Sequence, residues 1–168
     1  MKPILIHTHF HKRKTGVTRS IENVLPFFTD SFETYVFGSN IDGPHITKSK
    51  LKALLFSDQK IVVHCHRNNE IMQMLLYRFL GAKFLLIATR HAETKPSRFT
   101  FFMLKKADKV ITLIKSMSAN LGIKNTIIGH GVKVDEFLPN QKIKLENISQ
   151  ENIILNAGRV RKAKGQLV

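Results

Sequence analysis

Short apolar runs rich in β-branched residues alternate along the chain with longer stretches of helical period. Residues 3–8 (PILIHT) read as a first strand. Val17, Ile21, Val24, Leu25 and Phe28 then recur on one stripe of a helix over 17–28. The same alternation predicts strands over 33–37, 60–64, 83–88, 109–113, 126–128 and 152–156, with helices over 48–56, 69–80, about 97–106 and 115–121. Strands that alternate with helices build right-handed βαβ units and a mostly parallel sheet. The expected fold is therefore α/β, a Rossmann-like open sheet with helices on both faces.

The last strand breaks the rhythm. A polar stretch with Pro139 and several Lys and Gln residues precedes it, and only a basic turn and the start of a helix follow. The expected organisation is a domain over 1–139, a linker over 140–151, and the severed beginning of a second domain over 152–168.

Composition narrows the class. The 168 residues carry 27 Lys and Arg against 12 Asp and Glu, a net charge of +15, with 43% apolar residues. That apolar share excludes a disordered or collagen-like chain. The single cysteine, Cys65, excludes a scaffold stapled by internal disulfides. No apolar run reaches the roughly 18 residues expected of a membrane span, and the basic start MKPILIHTHFHKRK does not read as a signal peptide. The expected partner is anionic.

In open α/β sheets ligands sit beyond the carboxyl ends of the strands, so the chemistry should lie in the segments that follow them. After the first strand, Gly16 opens a helix whose free N–H groups favour an anion, with Lys12, Arg13, Lys14 and Arg19 close by. A solvated basic turn would look the same. After the third strand come His66, Arg67, Asn68, Asn69 and Glu70, five polar residues at one junction, of which a helix cap accounts for one. After the fourth, His91 could act as acid, base or hydroxyl partner, or be an ordinary surface residue. In residues 156–165 (NAGRVRKAKG), Arg159 and Lys164 lie five apart across a turn into a helix, which suits a diphosphate. Alternating His7, His9 and His11, echoed by His64 and His66, raise a zinc hydrolase reading, but no well-spaced Asp or Glu set accompanies them. Nucleic-acid binding rests on charge alone, since the aromatics fall at core spacing and form no stacking platform.

Five segments in order, TGVTRSIENVLP (15–26), VHCHRNNEI (63–71), SRFTFFMLKKADKVIT (97–112), IIGHGVKVDEFLP (127–139) and AGRVRKAKG (157–165), resemble the retaining glycosyltransferases of family 4, of two-domain GT-B architecture. The likeness is greatest to their lipopolysaccharide-core mannosyltransferase branch. It implies a first domain that holds the acceptor and a second that holds a nucleotide sugar, most simply GDP-mannose. The implied donor-diphosphate residues are Gly16, Arg159 and Lys164; the cations stabilise the departing nucleotide, so no metal and no further cofactor is required. The implied acceptor or cleft residues are Arg67, Asn68, Asn69 and Glu70, and His91 stands where many members place a catalytic His against the transferred sugar. The implied partners are the nucleotide sugar, a lipid-linked saccharide and an anionic membrane surface at the cytoplasmic face, with no nucleic acid.

Two departures qualify the resemblance. Lys133 stands where the branch usually has an acid, with Asp135 two places on. The Glu-x7-Glu motif of the second domain is absent. The expectation is a truncated or split frame or a fragment, inactive alone, whose missing domain would be carried on a separate chain. The alternative is a non-catalytic lipid- or acceptor-binding module.

Overall fold

The computed structural model describes residues 2–131. Its elements are β1 (Ile4–His9), α1 (Gly16–Phe28), β2 (Glu33–Gly38), α2 (Lys48–Leu55), β3 (Ile61–Cys65), α3 (Asn68–Phe79), β4 (Leu85–Arg90), α4 (Arg98–Lys105), β5 (Lys109–Thr112), α5 (Lys115–Leu121) and β6 (Thr126–Ile127). The strands form one six-stranded sheet in the order β2-β1-β3-β4-β5-β6, with every pairing parallel. This is the open α/β sheet expected from the alternation of elements.

Side-chain parity decides which face each helix covers. In β1 and β3, Ile4, Ile6, Ile61, Val63 and Cys65 point to one face, where they meet Leu51 and Leu55 of α2, Met74 of α3 and Leu104 of α4. The opposite face takes α1, whose Ile21 and Leu25 are one helical turn apart and pack on Val36 of β2 and on Ile41. Right-handed crossovers require this division: the chain steps one way from β1 to β2 and the other way in the steps that follow. His7 and His64, paired in register, belong to the α1 face.

The sheet's order reverses between β1 and β3, so the segments after these two strands part and leave a crevice at their carboxyl ends. Gly38 ends β2 against β1 so closely that a Cβ there would lie 1.9 Å from the carbonyl oxygen of His9, and its φ of +136° suits only glycine. The outer edge of β2 is covered by residues 44–46: Val36 N–H donates to Pro44 at 2.9 Å, and Ile46 N–H donates to Val36 at 3.0 Å.

Every described strand differs from the sequence expectation by one or two residues at its ends. β1 runs to His9 and β3 to Cys65, one residue further each, and β4 lies two residues later than the apolar run suggested. The reason in β4 is pairing: Thr89 and Arg90 continue the ladder opposite Ile111 and Thr112, so polar residues complete the strand. The expected strand over 152–156, the linker and Arg159 and Lys164 lie outside the described residues.

Candidate functional site: a cleft at the strand ends

The loops after β1, β3 and β4 surround an open cleft of about 590 Å³, within the size range of small-molecule sites. Its walls include Phe10, Arg67, Asn68, Asn69, Arg90 and His91, with Thr100 of α4 behind them. Asn68 Nδ2 donates to Thr100 Oγ1 at 2.9 Å and so fixes the start of α3 against the start of α4. Asn69 is exposed and opens toward the cleft.

Glu70 has a different place. It is fully buried, and its carboxylate accepts from Thr8 Oγ1 (3.0 Å), Phe10 N (3.0 Å), His66 N (2.8 Å) and Arg67 N (3.2 Å). Burial pushes its pKa up, and the backbone donors at His66 and Phe10 pull against that shift. Glu70 is a clamp that sets the shape of the two loops at the crevice, and it does not line the cleft.

Arg67 extends from the β3–α3 junction to the start of α1, where its Nη2 donates to Thr15 Oγ1 at 3.4 Å, while its buried Nε has no partner. Thr15 caps α1: Thr18 N–H donates to its hydroxyl, and Thr15 N–H donates to Thr18 Oγ1 at 2.9 Å. Gly16 follows at the helix's first position, and no atom lies within 4 Å of the place a Cβ would occupy. The described chain therefore does not itself require glycine there. The basic loop is partly neutralised: Lys14 pairs with Asp42 and with Glu22, and Arg19 pairs with Glu22 at 3.3 Å. Lys12 and Arg13 stay exposed.

His91 connects the cleft to a second group of residues that the sequence showed only as alternating histidines. His91 Nε2 lies 3.2 Å from His66 Nδ1, and His66 Nε2 lies 3.4 Å from His7 Nδ1. His91 stacks on His130 with ring centroids 5.6 Å apart, and His130 Nδ1 is 2.7 Å from Ser20 Oγ. Burial lowers the pKa of His91 to about 4, with His130 and Arg67 adding to the shift. A neutral imidazole of this kind orients a hydroxyl and is a weak base at neutral pH. His9 takes no part: its ring nitrogens meet Ser39 O at 2.7 Å and Thr18 Oγ1 at 2.8 Å. His11 lies past the strand, against Arg13 O.

The residues expected from the sequence thus divide. Gly16, Arg67, Asn68, Asn69 and His91 gather at one end of the sheet, Glu70 supports them from below, and Arg159 and Lys164 lie outside the described residues. Sequence reasoning missed Phe10 and Thr100 in the cleft walls, because a threonine or phenylalanine outside a polar cluster carries no local signal of its own.

No family model matches the chain, and no solved structure matches it significantly. Two curated proteins do. The lipopolysaccharide core biosynthesis mannosyltransferase LpsB of Rhizobium meliloti (strain 1021) is 27% identical over 149 residues, covering 80% of this chain and 40% of its own length. The lipopolysaccharide core biosynthesis mannosyltransferase LpcC of Rhizobium leguminosarum bv. viciae is 27% identical over 172 residues, covering 96% of this chain and 49% of its own. The chain spans less than half the length of either relative.

Proposed function

We propose that this chain is the acceptor-holding part of a glycosyltransferase of the GT-B, family 4 kind, acting on a lipid-linked saccharide such as a lipopolysaccharide core. The observation that carries the reading is the cleft at the sheet's crevice, walled by Arg67, Asn68, Asn69, Arg90 and His91, in a chain similar to two mannosyltransferases. In the reaction, the bond between the sugar's anomeric carbon and the diphosphate of GDP-mannose breaks. A bond from that carbon to an acceptor hydroxyl forms with retention, GDP departs with the bonding electrons, and the hydroxyl proton leaves with it.

The chain's own residues have distinct tasks in this reading. Asn68 and Asn69, with two hydrogen-bonding groups each, select saccharide hydroxyls at the mouth of the cleft. His91, held neutral, accepts from or donates to a hydroxyl of the transferred sugar. Gly16 leaves room for the donor diphosphate at the start of α1, whose first N–H groups favour an anion. Arg67 supplies positive charge beside it, and Arg159 and Lys164 complete the cation set that stabilises the leaving nucleotide.

A membrane surface is the proposed location of the acceptor. Met72, Leu76 and Phe79 of α3 and Phe99 and Phe102 of α4 are exposed, Phe79 by 87%, and Lys105 and Lys106 stand over the rings of Phe101 and Phe102. Apolar residues fringed by cations fit an anionic bilayer face. These are the helices whose first turns wall the cleft. Among the described residues no helix is long and apolar enough to cross a membrane.

Calorimetric titration of the chain with a water-soluble core oligosaccharide tests the reading. Saturable binding that weakens at least about tenfold in Asn69→Ala, a loss of roughly 1.4 kcal/mol, is the expected result. No saturable binding would remove the proposal.

A further inference from the structure

Behind the cleft, on the α1 face of the sheet, lies a cavity of about 160 Å³ lined by His7, His64, His66, Ser20, Thr89 and His130, among others. His7 is 1% exposed, and its Nε2 has no hydrogen-bond partner. A buried polar atom left unpaired is unfavourable, and it shows that the fold's own hydrogen bonds do not hold the His7 ring at that nitrogen. One nitrogen from each of His7, His64 and His66 lies within 4.8 Å of the other two.

We propose that His7, His64 and His66 form a binding site for a first-row transition cation of the zinc class. The spacing of the rings and the partners of their outer nitrogens support it. The 3.4 Å between His7 Nδ1 and His66 Nε2 matches the edge of a tetrahedron with metal–nitrogen bonds of about 2.0–2.1 Å. A nitrogen of each ring lies within 4.8 Å of the other two, a spacing that rotation of the imidazoles can bring toward that edge. Two of the three outer nitrogens are already engaged: His64 Nε2 is 2.7 Å from Thr89 Oγ1, and His66 Nδ1 is 3.2 Å from His91 Nε2.

The strands make the cluster. His7 and His64 are register partners on adjacent parallel strands, with ring centroids 4.9 Å apart, and His66 follows His64 on the same face at 4.2 Å. Burial holds all three imidazoles neutral, the form that ligates. Three protein ligands leave a fourth position in the cavity for water or a substrate oxygen. The three rings come from β1, β3 and the residue just after it, so they are set by the sheet itself.

The inference is independent of glycosyl transfer, because its test uses no sugar. The purified chain, stripped with a chelator and desalted, is titrated with Co²⁺ and its visible ligand-field bands are followed, then competed with Zn²⁺. The expected result is saturable one-to-one uptake. It should weaken by at least about 100-fold in His66→Gln and by about 10–100-fold in Thr89→Val, and should persist in His45→Gln. Absence of saturable uptake, or uptake undiminished in His66→Gln, would overturn the proposal. Should His66→Gln fail to fold, the imidazole ¹⁵N shifts of the unaltered chain decide. Zn²⁺ should move those of His7, His64 and His66, and movement confined to His11 and His45 would overturn the site.

Discussion

Thr8 and Glu70, 62 positions apart in the chain, meet in the core: the Thr8 hydroxyl donates to the Glu70 carboxylate at 3.0 Å. Through that carboxylate the end of β1, the β3–α3 junction and the first turn of α3 become one unit. The loops that wall the cleft therefore depend on a side chain that never faces it.

This clamp should be strongly coupled. Glu70→Ala leaves three backbone N–H groups without their acceptor and should cost at least about 3 kcal/mol of unfolding free energy. Thr8→Val removes one donor and should cost about 1 kcal/mol. Urea unfolding of the double variant should show a coupling of roughly 0.5–3 kcal/mol, whereas strict additivity would mean that the two side chains act independently.

Glycines 16 and 38 should behave in opposite ways. At Gly38, an added methyl meets the His9 carbonyl in a backbone conformation reserved for glycine, so Gly38→Ala should lose at least about 2 kcal/mol. At Gly16 nothing stands in the way, and Ala should leave stability unchanged or raise it by up to about 1 kcal/mol. Thermal unfolding separates the two. If the donor diphosphate approaches Gly16 as proposed, the stable Gly16→Ala chain should nonetheless bind GDP at least about tenfold more weakly, about 1.4 kcal/mol.

Acid should unfold the chain early, measured with a chelator present. His7 is held near pKa 4 by burial, and His64 and His66 are held well below their ordinary value. Lowered folded-state values mean that the unfolded chain binds more protons between about pH 6.5 and 4. Stability is therefore intact above that window and falls as pH drops through it, by up to about 1.4 kcal/mol per pH unit for each buried histidine. Glu70, with its raised pKa, works in the opposite sense, but it is one group against three. A stability profile flat from pH 7 to 4.5 would contradict the burial of these rings.

The sheet was legible in the sequence because its signal is local. Apolar runs such as ILIHT, KIVVH and KFLLIA need only their own residues to announce a strand, and Ile21 and Leu25 one helical turn apart announce the face of α1. Where reading failed, the deciding partner was distant. β4 was placed early because Thr89 and Arg90 look like loop until they pair with Ile111 and Thr112. Glu70 was grouped with the cleft by its neighbours in sequence, whereas Thr8 and Phe10 hold it inside. The alternating histidines were visible on both strands, but only the β1–β3 register brings His7 against His64 and His66 and leaves His9 to Thr18 and Ser39. The overall charge of +15 pointed to an anion but not to its place, since Lys14 and Arg19 spend their charge on Glu22 and Asp42.

The central claim is that the crevice between the ends of β1 and β3 is where the acceptor saccharide sits. Amide chemical-shift mapping of the chain during titration with a core oligosaccharide tests it most directly. Perturbations should concentrate in residues 10–11, 67–69 and 89–92, the three segments that wall the cleft. Perturbations confined to the opposite end of the sheet, around residues 105–110 and 123–126, or none at saturating oligosaccharide, would contradict it.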